Sequence, residues 1–162
     1  MKNKLFLMFS VLFLAVFVPF TNAKAEENPD DYLGQVIDGS GFTTNTEAID
    51  TYYTRVRGTY LMSGTSKISN KGGGVILLTG ITTAYQSVST IYANVMYDRM
   101  VNGSWMYQGT CYFSASNTSS VDQSESRSVA RGYYYRARGV HGITYGSVTE
   151  TCDTGTDGIF VG

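Results

Sequence analysis

Two short blocks carry the side chains best suited to do chemistry, Tyr52-Tyr53-Thr54-Arg55-Val56-Arg57-Gly58 and Tyr133-Tyr134-Tyr135-Arg136-Ala137-Arg138-Gly139. Each sets two arginines two positions apart, with a tyrosine two positions before them. Side chains alternate along a strand, so Arg55, Arg57, Arg136 and Arg138 are expected on outward faces beside Tyr53 and Tyr134. Guanidinium groups grip carboxylates or phosphates in bidentate fashion, and tyrosine faces stack on sugars or cations. Such a patch would contact an anion or a glycan. The plainer alternative is a solvated sheet face on which arginine stems cover tyrosine rings.

Catalytic chemistry is harder to assemble. The one histidine, His141, falls on the inward face and aligns with Tyr60 of the first block, so it reads as a packed residue making a hydrogen bond. A lone histidine among many serines does not make a nucleophilic triad. Asp153-Thr154-Gly155-Thr156-Asp157-Gly158 spaces carboxylates and glycines as a calcium loop would, but lacks the glutamate that completes the twelve-residue form. Its Asp-Thr-Gly triplet has no second copy to supply the paired carboxylate of an aspartic protease. A tight turn beside Cys152 accounts for the segment. No metal, no cofactor and no enzymatic activity are expected.

The elements that must position these residues are strands. From Tyr52 the even positions run Tyr52, Thr54, Val56, Gly58, Tyr60 and Met62 while the odd ones carry Arg55 and Arg57, and a second alternation sets Ile91, Ala93, Val95 and Tyr97 against Tyr92, Asn94, Met96 and Asp98. Val101-Asn102-Gly103-Ser104 holds an Asn-Gly pair suited to a type I′ turn, after which Trp105 to Phe113 returns as the partner strand. Gly74 to Gly80 is a short apolar run suited to a strand covered on both faces. The serine-rich stretch 114–128 reads as a loop and an edge strand. Strands at this spacing without helical stretches indicate an antiparallel sandwich or a small barrel, and the architecture expected is an antiparallel β-sandwich of about eight strands, immunoglobulin-like, fibronectin-like or jelly-roll-like. The two arginine blocks, with Gly64 echoed by Gly146 and Gly74 by Gly158, suggest pseudo-symmetry between two halves of that sandwich.

Lys2 and Lys4, an apolar run from Leu5 to Phe20 and the small-residue close at Ala23-Lys24-Ala25 read as a secretory signal peptide over 1–25. A flexible acidic arm is expected over 26–50 and the β domain over 51–162. Three of the 12 basic residues lie in the leader, leaving 9 against 13 acidic ones, a net of −4. That balance argues against nucleic acid as a partner, and the released form is expected to be free of the membrane. In an oxidising space the even pair Cys111 and Cys152 is expected to form a disulfide.

The block at 52–58, the hairpin Asn102-Gly103-Ser104-Trp105 and the run from Tyr134 to His141 resemble a family of small secreted proteins of Gram-positive bacteria, catalogued only as a domain of unknown function. The resemblance spans about residues 40–162. It implies export and a β fold, and carries over no catalytic residue. The function expected is that of a secreted, non-enzymatic binding or surface-interaction protein. Its extracellular ligand is not identified, with a glycan or a cell-surface component among the candidates. The alternative is a bacteriocin-like secreted toxin.

Overall fold

The computed structural model describes residues 41–54 and 60–162. The leader, most of the acidic arm, and Arg55 and Arg57 lie outside the described residues. Eight strands and no helix make up the rest: β1 (Phe42–Thr43), β2 (Glu47–Tyr53), β3 (Leu61–Gly72), β4 (Val75–Val101), β5 (Ser104–Ser128), β6 (Tyr133–Tyr145), β7 (Val148–Gly155) and β8 (Gly158–Val161).

The fold is built on one long hairpin. Asn102 and Gly103 take φ of 50° and 75°, which fits the expected type I′ turn, and Val101 pairs with Ser104 across it. Asparagine and glycine tolerate that left-handed backbone where other residues strain. From the turn, β5 follows β4 almost to the far end, so the serine-rich stretch is a strand throughout and pairs with β4 alone. The ladder breaks between Thr83 and Val88, near the positive φ of 54° at Asn117. At that break the ribbon folds over, and the Thr82 hydroxyl in its first half donates to the Tyr92 carbonyl in its second at 2.8 Å.

The free side of β4 is divided accordingly. Residues 75–84 pair with β3 and residues 90–99 with β6, both antiparallel. β2 adds to β3, and β7 and β8 add to the two ends of β6, also antiparallel; β1 pairs in parallel with β8. The ladders thus join into a single mixed sheet, in the order β1-β8-β6-β4-β3-β2 with β5 on β4 and β7 on β6, nearly closed into a barrel. Of the two architectures the strand spacing indicates, this single sheet is nearer the small barrel than a sandwich of two separate sheets, because β4 runs through both walls instead of ending at a corner. Among the described residues the first strand starts at Phe42.

Period-two burial supplies the core. Ile76 and Leu78 from the first half of β4, Ile91, Ala93 and Val95 from the second, Ile68 of β3, Ile143 of β6 and Ile159 of β8 are all fully buried. Each large side chain of this kind adds about 1.5–3 kcal/mol over the exposed state. The predicted alternation over 91–97 is therefore correct, whereas that from Tyr52 fails at its two described ends, where Tyr52 and Met62 are exposed and Leu61 is the buried residue; its middle, 55–59, lies outside the described residues. The pseudo-symmetry also stops short. Gly64 lies inside β3 opposite Tyr52, but Gly146, its expected equivalent, is a turn residue with φ of 61° between β6 and β7.

Cys111 and Cys152 are buried free thiols, not a disulfide. Cys111 on β5 pairs with Val95 of β4, which pairs with Gly139 of β6, while Cys152 sits on β7 beyond β6, opposite His141. Three strand spacings separate them, about 14 Å along the sheet. A disulfide spans at most about 7 Å between Cα atoms. Burial pushes both thiols up to about 11, so neither is a thiolate near neutral pH.

Candidate functional site

Two polar clusters lie on opposite faces of β6. The inner one is centred on His141, which is completely buried. Its Nδ1 lies 2.9 Å from the Thr82 oxygen, and its Nε2 lies 3.2 Å from Ser66 Oγ and 3.0 Å from Thr154 Oγ1. The Thr82 proton is already given to the Tyr92 carbonyl, so Nδ1 must carry the hydrogen and Nε2 must accept. The Thr154 hydroxyl donates to Ser66 at 2.7 Å, which leaves the Ser66 proton for Nε2. One directed chain therefore runs Thr154, Ser66, His141, Thr82 and the Tyr92 carbonyl, crossing from β7 to β3, β6 and β4.

Burial lowers His141 from its ordinary value of 6.5 to about 4, against a partial upward pull from Asp153 and Asp50. The ring is neutral at pH 7. Ser66 and His141 have the spacing of a nucleophile and its base, but both are fully buried, and the ring is oriented by a threonine instead of a carboxylate. Gly139 makes room for the cluster: a methyl there would stand 2.1 Å from Ser66 Oγ, 2.5 Å from His141 Nε2 and 2.6 Å from Thr154 Oγ1.

The outer cluster holds the described half of the expected arginine patch. Arg138 Nε donates to Asp98 Oδ2 at 2.6 Å and its Nη2 to Oδ1 at 2.9 Å, while Arg136 Nε donates to Oδ2 at 2.9 Å. Burial by itself would raise the Asp98 carboxyl, but the hydrogen bonds from Arg138 and Arg136 outweigh it and hold the group below the usual carboxylate range. The Arg136 guanidinium also lies 4.7 Å from the centroid of the Trp105 ring. Trp105 leans on Phe42, Phe42 on Tyr134, and Tyr134 on Phe160.

The outward placement of these residues needs correcting. Arg136 and Tyr134 do project away from the core, but β1, β8 and the start of β5 bring rings over them and leave them 5 % and 3 % exposed. Of the two β6 arginines, Arg138 is the one that reaches solvent, with 39 % of its side chain exposed. Tyr53 is exposed, but on β2 opposite Ser63, away from β6.

Across the same outer face, register sets Tyr112 beside Asn94 and Val140, Thr110 beside Met96 and Arg138, and Tyr107 beside Asp98 and Arg136. Tyr112 and Tyr107 are 75 % and 59 % exposed, and the Tyr107 hydroxyl lies 2.9 Å from Thr110 Oγ1. Sequence reasoning missed Asp98 as the anchor, although its position among the outward residues Tyr92, Asn94 and Met96 was the available signal. In the segment read as a tight turn beside Cys152, Asp153 to Gly155 are the end of β7, and Asp157 beyond it accepts the Gly41 N–H; among the described residues no group of three or more His, Cys, Asp or Glu side chains gathers as metal ligands would.

Fold and clusters together define a small all-β domain with a polar relay in its core and an aromatic, arginine-bearing outer face. The chain belongs to the family of unknown function DUF6147, which it matches over residues 31–159. A search of the curated proteins and of the solved structures finds no match.

Two outcomes follow from the inner cluster. Gly139→Ala should destabilise the protein by about 3 kcal/mol or more in urea titration, at the upper end of overpacking costs; a loss under about 1 kcal/mol would contradict the packing. Because His141 titrates lower when folded than when unfolded, its contribution is complete above pH 6.5 and is lost as pH falls towards 4. The loss reaches about 3 kcal/mol, most of it seen by about pH 4.5, where flat stability would contradict the assignment.

Proposed function

We propose that the chain is a secreted, non-enzymatic binding or surface-interaction protein that meets an extracellular ligand through the outer face of β5, β4 and β6. The observation that carries this reading is the pair Tyr107 and Tyr112, both exposed on the face where Asp98 fixes the Arg138 guanidinium. An arginine clamped by a carboxylate presents its charge in one orientation, and exposed tyrosines offer apolar area with a wet hydroxyl, at little cost in side-chain entropy. The leader-like N-terminus supports export. The buried Ser66–His141 pair and the two protonated thiols offer a substrate no accessible base or nucleophile, which supports binding over catalysis.

The test is retention of the purified protein on cell-wall polysaccharide and on a glycan array. Tyr107→Ala and Tyr112→Ala should each weaken binding about ten-fold, as loss of one aromatic contact would, without changing the melting temperature. Unchanged retention in the double variant would remove this face from the account. Growth inhibition of other bacterial strains by the purified protein, with no retention, would favour the toxin instead.

A further inference from the structure

Where β4 starts, β5 ends and β6 starts, the inner face of the sheet reaches a rim that holds an arginine with no acid beside it among the described residues. Asp98 and Arg99 are successive on β4 and so point to opposite faces. Asp98 gathers Arg136 and Arg138 outside, whereas Arg99 turns inward, in register with Tyr135 of β6 and Met106 of β5. Its guanidinium lies over the Tyr133 ring, 4.6 Å from the centroid. Tyr135, on the same face of β6, is buried, and its hydroxyl donates to the Ala130 carbonyl at 2.9 Å. Burial raises that hydroxyl above its ordinary range and the Arg99 charge draws it partly back, so cation and phenol sit close together.

A ring face answers the charge of a guanidinium but not its N–H groups, which lie in its plane and need acceptors. Among the described residues Arg99 Nε is the one buried side-chain polar atom with no hydrogen-bond partner. No described acid pairs with it: Asp98 is engaged on the other face, and Glu125 is engaged by Arg127. Folded proteins leave few such donors unmade, and an ion or an ordered water commonly completes them. A second cation stands at the same rim. The turn whose Ala130 carbonyl takes the Tyr135 hydroxyl also carries Arg131, which is exposed, with its stem against Gly74, where a methyl would meet Arg131 Cγ at 3.1 Å. Arg99 and Tyr133 are half-buried and Met106 is exposed, so solvent reaches the rim.

We propose that this rim binds the carboxylate or phosphate group of a small anionic ligand. Arg99 Nε and the Nη on the same side of the fork grip two of its oxygens, Tyr133 backs the guanidinium, and Arg131 supplies a second positive charge. Carboxylate and phosphate both offer a pair of oxygens that fits such a fork. The site lies on the inner side of β4 and β6, away from Tyr107 and Tyr112, and stands independently of the ligand face proposed above.

NMR of the Arg99 Nε–H in the purified protein tests it, by titration with inorganic phosphate and, separately, with acetate at constant ionic strength. The signal should shift and saturate in the millimolar range with at least one of them, and the one that saturates tells phosphate from carboxylate. Arg131→Gln, at an exposed position, should weaken that binding about ten-fold, as loss of one charged contact would. Arg99→Lys, which keeps the charge and loses the fork, should abolish saturation at the Tyr133 and Tyr135 amides. No saturation with either anion, which would mean that water alone completes Nε, or parent-like affinity in either variant, would overturn the proposal.

Discussion

A neutral imidazole buried between two walls of a sheet must place both ring nitrogens on protein partners, because a buried polar atom left unsatisfied costs about 1–3 kcal/mol. His141 meets that demand with partners from three other strands, so the positions of β3, β4 and β7 around β6 are tied to one ring. The demand also explains Gly139, since any side chain there would fill the space the relay occupies. The relay is directional: each hydroxyl gives its proton onward, and the last is taken by a backbone carbonyl. Hydrogen bonds aligned in this way strengthen one another in a low-dielectric interior.

The same β6 strand organises the outside. His141 points in, while Arg136 and Arg138 point out, and Asp98 from β4 gathers both guanidinium groups on one carboxylate. Removing one partner of a buried pair leaves an uncompensated charge and costs about 3–5 kcal/mol, so this cluster is sensitive to any loss of Asp98. Rings from β1, β5 and β8 then cover Arg136 and Tyr134 and leave Arg138 and the β5 tyrosines at the surface. Rigid backing for a partly exposed cation and two exposed rings is the physical basis of the proposed ligand face.

Local rules carried part of this in the sequence. The Asn102-Gly103 turn depends only on what φ two residues tolerate, and the alternation over 91–97 only on period-two burial, so both were legible. The fold-over near Tyr85-Gln86-Ser87 was not, since no glycine or proline marks it and the packing of one half of β4 on the other creates it. An even number of cysteines says nothing of their separation, which the strand order sets. Outward parity placed Arg136 opposite the core, but parity cannot tell solvent from a second covering layer. Ser66, Thr82 and Thr154 were indistinguishable from the many other hydroxyls until the sheet curled and brought them to one ring.

Nitrogen-15 NMR of the His141 ring tests the central claim most directly. A neutral ring with its proton on Nδ1, persisting from pH 7 down to about pH 5, is the predicted signature of the relay. A proton on Nε2 at neutral pH, or an imidazolium already formed near pH 6, would contradict it.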